Sequence, residues 1–283
     1  MTKRLSAIRH VALDMDGTIY RGGKLFDSTT PFLALLQELS IGYTFLTNNP
    51  SKSVTDYLAH LRKIGIPATH EQLYTSTQAT IEFLREEWPL VKRIFALGTP
   101  SMGQEFSAAG FVLVPDDPPT EPDAVVVGFD MTLTYPRLCR ASWWISKGKP
   151  YFATKPDRIC PTDQPTVLVD CGSICAALQA ATGRTPDAVL GKPDPAMIRG
   201  ILHRHALQPH NLAMVGDRLY TDIAMARQAG ALGVLVLTGE TTAAAASKHS
   251  PPPDLIVAGL AEFGEHLRSA MSVGRRQTSR SAA

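Results

Sequence analysis

The sequence predicts an α/β protein in which a parallel sheet covered by helices is interrupted by a smaller, inserted α/β domain. Strand-like and helix-like segments alternate from the start of the chain, as is typical of parallel sheets with helices on their faces. The first strand, "HVALD", is an almost unbroken apolar run, which indicates that both of its faces are covered. At 283 residues, the chain is long enough for two domains.

The first set of elements continues with a short glycine hairpin and a helix. We expect that helix to have Thr30 as its N-cap, Pro31 in its first turn and Gly42 just past its end. The strand "YTFLT" follows, then a helix over about 53–64 and a third strand in "QLYTS". Each helix is bounded by the residues that usually start and stop helices.

A second set of alternating elements occupies the middle of the chain, and the first pattern resumes with "AVLGKPDP" and "LAMVGD". The middle segment holds enough strands and helices for a small domain of its own. The last residues are polar and have no apolar periodicity, which is typical of disorder. We therefore predict a core domain over 1–76 and 186–271, an inserted domain over 77–185 and a disordered tail over 272–283.

The composition indicates no large polyanionic or lipid partner. The net charge is only +2 and no basic run is interleaved with aromatic residues, so we expect no nucleic-acid partner. No apolar segment approaches membrane-spanning length, and "MTKRLSAIRH" lacks the apolar core of a signal peptide. We therefore expect a cytoplasmic protein that does not enter a membrane.

Polar residues follow several of the predicted core strands at the point where each strand ends. Asp14 ends the first strand, Thr47 and Asn48 end the second, Lys192 follows "AVL" and Asp217 follows "LAMVG". Any one of these could be a simple cap or turn residue. Because ligands of parallel α/β sheets bind outside the carboxyl ends of the strands, the four segments together predict one binding site.

These residue types suit a phosphate group and a divalent cation. Asp14 and Asp217 offer the hard oxygen ligands that Mg²⁺ prefers. Lys192 adds a positive charge and Thr47 a hydroxyl for phosphate oxygens. Gly17 would let the backbone approach closely and offer its amide to an oxyanion. The set predicts phosphoryl-transfer chemistry.

Four ordered motifs, "DMDGT", "TNN", "GKPDP" and "GDRLYTD", resemble those of the haloacid dehalogenase (HAD) superfamily. The inserted domain falls between the second and third motifs, and "GTIYRG", "TNNPSKS" and "VLTGETT" are similar to the NagD-like 4-nitrophenyl phosphatase group in particular. The resemblance implies a Rossmann-like core with an α/β cap that determines substrate specificity. It also implies a Mg²⁺-dependent phosphatase that hydrolyses small phosphorylated metabolites through an aspartyl-phosphate.

The resemblance assigns a role to each carboxylate. Asp14 would be the nucleophile, and Asp16 the general acid for the leaving oxygen and then the base for the attacking water. The carboxylates of Asp14 and Asp217 and the backbone carbonyl of Asp16 would bind Mg²⁺. Asp222 would lie outside these ligands and orient metal-bound water or Lys192.

The resemblance also assigns the substrate-binding residues, with one departure from the family pattern. Thr47 and Lys192 would hold the transferring phosphoryl group, and Asn48 would help to position it. The cap segment reads "TKPD" where the family often has "TNPD", so Lys155 stands in place of an asparagine. Lys155 either favours a substrate with a second anionic group or points to solvent on its flexible stem.

Other functions remain open at this point. A phosphotransferase or mutase could use the same fold, and a phospho-acceptor module like a receiver domain also combines strand-end acids with a threonine and a lysine. Asp16 counts against the acceptor module, which gains nothing from a positioned acid and base. The intact motifs count against a degenerate binding protein. The physiological substrate is not identified, and the resemblance leaves open a homodimer formed through the cap.

Overall fold

Strands and helices alternate along almost the whole chain. The computed structural model describes residues 1–48, 53–116, 120–160 and 165–281. The strands are β1 (His10–Asp14), β2 (Tyr20–Arg21), β3 (Lys24–Leu25), β4 (Gly42–Thr47), β5 (Leu73–Thr75), β6 (Arg93–Leu97), β7 (Val112–Leu113), β8 (Ala124–Val127), β9 (Tyr151–Ala153), β10 (Ile159–Cys160), β11 (Leu168–Val169), β12 (Ala188–Val189), β13 (Leu212–Gly216), β14 (Leu232–Val236) and β15 (Leu255–Val257).

The helices mostly alternate with these strands, and several have an identifiable start signal. Helix α4 begins after Thr75, which exchanges hydrogen bonds with Gln78 in a capping box. The helices are α1 (Thr2–Ser6), α2 (Thr29–Glu38), α3 (Val54–Lys63), α4 (Ser76–Glu87), α5 (Pro100–Ala108), α6 (Tyr135–Ser146), α7 (Cys171–Thr182), α8 (Ala196–Arg204), α9 (Ala224–Ala229), α10 (Ala243–Lys248) and α11 (Leu260–Ser281).

The chain divides into two compact units. Unit 1 contains residues 1–46, 58–73 and 198–283, and unit 2 contains residues 47–57 and 74–197. Residues 47–57 thus belong with the middle of the chain, although the sequence predicts a first core segment that is continuous to residue 76. The predicted division into core and cap stays a prediction.

Unit 1 is built on a six-stranded sheet with the order β15-β14-β13-β1-β4-β5. The pairs of β1 with β13 and β4, and of β14 with β13 and β15, are all parallel. The central strands are buried: every residue of β13 and β14 lies inside, as do the first four of β1. Helices α2 and α11 pack so closely that a Cβ at Gly264 would lie 2.8 Å from Leu35 Cδ2.

Unit 2 has a five-stranded sheet of its own, ordered β12-β9-β8-β6-β7, with parallel pairs throughout. Alternate strand residues point to opposite faces. Phe95 and Val127 pack with α6 and α7, whereas Ile94 and Val126 pack with α4 and α5. The predicted fold class, a parallel α/β core with a smaller inserted α/β domain, is confirmed.

The structure differs from four of the sequence-based expectations. Helix α2 has Ser28 as its N-cap, where we expected Thr30. Strand β12, which we expected to resume the first pattern, pairs with β9 in the sheet of unit 2. Gly42 does not stop α2 but begins β4, where a Cβ would lie 2.6 Å from Nδ1 of the buried His10. Helix α11 runs to Ser281, where we expected a disordered tail over 272–283. Arginine and glutamine in this stretch are good helix formers.

Candidate active site

Three carboxylates meet at the carboxyl edge of the unit 1 sheet. Asp14, Asp217 and Asp222 each offer one oxygen, and these oxygens all lie within 4.8 Å of one another. Asp217 and Asp222 are buried, and Asp14 is half-buried. Negative charges that lie this close together and are shielded from solvent repel one another strongly. Hard oxygen donors in such a group fit a divalent cation of the Mg²⁺ type.

The sheet register explains why distant parts of the sequence meet here. Strand β1 ends at Asp14, and β13 ends one residue before Asp217. The two strands are parallel neighbours, with Leu13 opposite Val215. Asp222 lies in the turn of helix after β13, and its Oδ2 accepts a hydrogen bond from the Arg218 amide at 3.1 Å.

Gly17 is needed for the position of Asp217, and its amide is not available as we expected. A Cβ at Gly17 would lie 2.6 Å from Asp217 Oδ2, and the residue has a φ of +85°. Its amide donates to the Tyr20 carbonyl at 2.8 Å within the hairpin. The expectation that this amide serves an oxyanion is therefore corrected: what the site requires of Gly17 is the absence of a side chain.

Sequence reasoning missed several neighbours that hold the carboxylates in place. The Thr18 hydroxyl donates to Asp14 Oδ2 at 3.3 Å, and the Glu240 amide donates to Asp217 Oδ2 at 2.6 Å. The Glu240 carboxylate in turn binds Arg218 at 2.9 Å. Thr18 and Glu240 lie in "DMDGT" and "VLTGETT", so the motifs contained a signal that residue type alone did not.

The side chain of Asp16 differs from the three clustered carboxylates. It is exposed, and within the described part of the chain it does not belong to the carboxylate cluster. Its backbone forms an isolated bridge with Tyr20 beyond the end of β1. The acid and base role of Asp16 stays a prediction.

Unit 2 contains three of the predicted phosphate-binding residues, Thr47, Asn48 and Lys192. Thr47 ends β4, is 8% exposed and shares a hydrogen bond with the Tyr57 side chain. Lys192 is buried, and its amide donates to Asn48 Oδ1 at 2.8 Å. Asn49, the third residue of the "TNN" motif, lies outside the described residues.

Lys155 is buried in an ion pair. Only 3% of it is exposed, and its Nζ lies 2.7 Å from Oδ2 of Asp170. The Asp157 carboxylate is 3.9 Å away, and the Phe129 ring centroid is 5.6 Å away. Burial raises the pKa of Asp170, and the Lys155 ammonium opposes that shift. The expected alternative in which Lys155 points to solvent is wrong, whereas its contact with substrate stays a prediction.

The fold and the carboxylate site together define the class of the protein: a parallel α/β protein whose clustered acids, at the carboxyl edge of the sheet, fit a divalent cation. Within the residues that the structure describes, no helix is both long enough and apolar enough to cross a membrane.

Comparisons with known proteins give the family. Residues 11–112 match the model of the haloacid dehalogenase-like hydrolases, and residues 189–263 match that of the HAD-hydrolase-like proteins. The chain is 32% identical to the acid sugar phosphatase of Staphylococcus saprophyticus over 90% of its length and 96% of that protein. Among solved structures, 4-nitrophenylphosphatase from Thermotoga maritima is 40% identical, with a TM-score of 0.86 over 93% of this chain and 98% of that one.

A further solved structure was obtained with a cation. Glycerol phosphate phosphatase from Mycobacterium tuberculosis, in complex with magnesium, is 32% identical, with a TM-score of 0.82 over 91% of this chain and 77% of that one. The chain belongs to the haloacid dehalogenase-like hydrolase family, in its NagD-like group, and is a phosphoric monoester hydrolase. The predicted family and enzyme class are confirmed.

Proposed function

We propose that the enzyme is a Mg²⁺-dependent phosphatase that hydrolyses small phosphorylated metabolites through an aspartyl-phosphate on Asp14. The observation that carries this proposal is the cluster of Asp14, Asp217 and Asp222, whose oxygens lie within 4.8 Å of one another. One of these acids ends β1, as the nucleophile of this family would. Relatives named acid sugar phosphatase and glycerol phosphate phosphatase support a small phosphate monoester as substrate.

Magnesium is the cofactor that suits this donor set. The carboxylates of Asp14 and Asp217 and the backbone carbonyl of Asp16 would hold it, with Asp222 outside them. When bound, Mg²⁺ supplies positive charge that polarises the phosphoryl group and offsets the charge of the transition state. The magnesium complex of the Mycobacterium tuberculosis relative supports this assignment.

The chain's own residues account for the proton and phosphoryl transfers. An Asp14 oxygen attacks phosphorus as the bond to the leaving oxygen breaks, and Asp16 gives that oxygen a proton. Asp16 then takes a proton from water as the water oxygen attacks phosphorus, which releases inorganic phosphate and restores the Asp14 carboxylate. Thr47 and Lys192 would hold the phosphoryl oxygens during both steps.

The test removes the nucleophile without changing its size. Asp14→Asn should fold normally and yet lose several orders of magnitude in turnover with 4-nitrophenyl phosphate as substrate, because an amide does not form the acyl phosphate. Thr242→Ser, a mild change at the N-cap of α10 in the same unit, is the control. Near-normal turnover by Asp14→Asn, or full wild-type activity in excess chelator, would contradict the proposal.

Hydrolysis must also be separated from transfer to a second substrate, since a phosphotransferase would use the same first step. Phosphate release should equal consumption of glycerol phosphate or a sugar phosphate, with no transfer to an added sugar. Phosphorylated sugar in place of free phosphate would favour the phosphotransferase.

A further inference from the structure

Asn48 uses both ends of its side-chain amide inside unit 2. Its Oδ1 accepts a hydrogen bond from the Lys192 amide at 2.8 Å, and its Nδ2 donates to Asp157 Oδ2 at 2.6 Å. Chemistry fixes the orientation of the amide, because a backbone N–H only donates and a carboxylate only accepts. Asn48 thus links the turn that contains Asp157 to the backbone of Lys192.

The turn that carries Asp157 is itself firmly held. The Gly172 amide donates to the Asp157 carbonyl at 2.7 Å, and a Cβ at Gly172 would lie 2.2 Å from the Pro156 carbonyl. At the same helix end, Asp170 accepts from the Cys171 amide at 2.6 Å and pairs with Lys155. The start of helix α7 therefore anchors the whole "TKPD" segment.

The other side of the "TKPD" segment lies against the loop that contains Gly191 and Lys192. A Cβ at Gly191 would lie 2.3 Å from Asn48 Oδ1, 2.6 Å from the Thr154 carbonyl and 2.8 Å from Lys155 Cβ. Such close packing leaves the backbone beside Lys192 little room to shift without also moving Asn48. Lys192 is only 2% exposed, so its ammonium has a narrow range of positions.

We propose that Asp157 and Asn48 are positioning residues that act on the substrate phosphate through Lys192. This inference rests on the proposed function, in which Lys192 holds the phosphoryl group. It gives Asn48 a different role from the one we expected, since both ends of its amide are engaged by protein groups. It also explains the acid of "TKPD": a carboxylate binds the Asn48 amide more strongly than a neutral acceptor would.

The pair can be inverted to test the idea. Asn48→Asp keeps the acceptor for the Lys192 amide but sets two carboxylates against each other. The double variant Asn48→Asp with Asp157→Asn restores one donor and one acceptor and keeps the total charge of the pair. With 4-nitrophenyl phosphate as substrate, we expect Asn48→Asp to raise both the Michaelis constant and the inhibition constant of inorganic phosphate by about tenfold or more. The double variant should return to within about threefold of wild type in both constants.

A milder variant and a control exclude a general loss of stability. Asp157→Ala should raise the inhibition constant of phosphate by about threefold to tenfold, since it only removes the acceptor. Asp123→Asn is the control: Asp123 also binds backbone amides, those of Lys92 and Arg93, but at the start of β8 in the same unit. Asp123→Asn should have the same inhibition constant for phosphate as wild type.

The outcomes separate this inference from the proposed function. If wild type with Mg²⁺ releases no phosphate, the proposed function fails, and the inference fails with it. If wild type is active but Asp157→Ala binds phosphate as tightly as wild type, only the inference is overturned. The inference is also overturned if folded Asn48→Asp keeps the wild-type constant, or if the folded double variant shows no recovery.

Discussion

Breaking the buried Lys155–Asp170 ion pair should strongly destabilise unit 2, because one charge is left unpaired, and Lys155→Met tests this. Methionine has a similar length and no charge, so the substitution leaves the Asp170 carboxylate buried beside an apolar chain. Lys155 is 3% exposed and Asp170 is 0% exposed, and the Lys155 Nζ lies 2.7 Å from Asp170 Oδ2. Removing one member of a buried pair typically costs about 3–5 kcal/mol.

The lower end of that range fits this site best. Asp170 keeps the hydrogen bond from the Cys171 amide at 2.6 Å and its place at the start of α7, and both stabilise the anion. We therefore expect Lys155→Met to lower the free energy of unfolding by about 3 kcal/mol at pH 7. Burial already raises the pKa of Asp170, and losing the ammonium raises it further. Protonation of Asp170 in the variant removes its unpaired charge. The loss of unfolding free energy in Lys155→Met should therefore become smaller as the pH falls from 7 to 5.

Tryptophan fluorescence gives a direct assay, because all three tryptophans of the chain, Trp88, Trp143 and Trp144, lie in unit 2. Urea unfolding, monitored by tryptophan emission, should show the lower free energy of unfolding of Lys155→Met. The double variant with Asp170→Asn should recover to within about 1 kcal/mol of wild type, since no buried charge remains.

Lys149→Met, in a more exposed pair of the same unit, is the control and should not shift the unfolding midpoint. The reasoning is refuted if Lys155→Met is as stable as wild type, or if the double variant is no more stable than the single one.

Two further predictions concern unit 1. Gly17→Ala should lower the affinity for Mg²⁺ by at least about tenfold, because its Cβ would lie 2.6 Å from Asp217 Oδ2. The affinity is measured by activation of the enzyme and by the dependence of its melting temperature on Mg²⁺. Gly22→Ala, with open space around it, is the control and should keep the wild-type affinity; equal effects of the two variants would contradict the prediction. Burial, and secondarily His205, lowers the pKa of His10 from 6.5 to about 3. The unfolded chain therefore takes up the proton first, so stability is complete above pH 6.5 and falls by about 2 kcal/mol at pH 5. Urea unfolding of His10→Gln should lack that loss.

Much of the fold could be predicted because local and global signals agree. The near-continuous apolar runs of β1 and β13 are what a strand buried on both faces requires. Helices α5 and α10 were not predicted, although Thr99 and Thr242 cap them, because their short apolar patterns give a weak periodic signal. The partner of β12 could not be predicted either, since two residues of strand fit the edge of either sheet.

The candidate site was predictable where residues follow strands directly. Asp14 ends β1 and Asp217 directly follows its parallel neighbour β13, so their meeting is a consequence of sheet register. The contact of the Glu240 amide with Asp217 could not be predicted, because it depends on the path of a loop 23 residues further along. Likewise, the amide of Gly17 is engaged by a hairpin whose hydrogen bonds are invisible in residue types.

Lys155 shows why a single departure from a family pattern is hard to interpret alone. An ammonium in place of an amide suggests a second anion in the substrate, as long as its partner is unknown. In the structure, that anion is supplied by the protein, because Asp170 lies 2.7 Å from the lysine and has no exposed surface. The pair leaves no net charge for a substrate to meet, so a neutral leaving group suffers no penalty from Lys155. While its contact with substrate stays a prediction, the lysine therefore belongs first to the framework that holds Asp157, Asn48 and Lys192 in register.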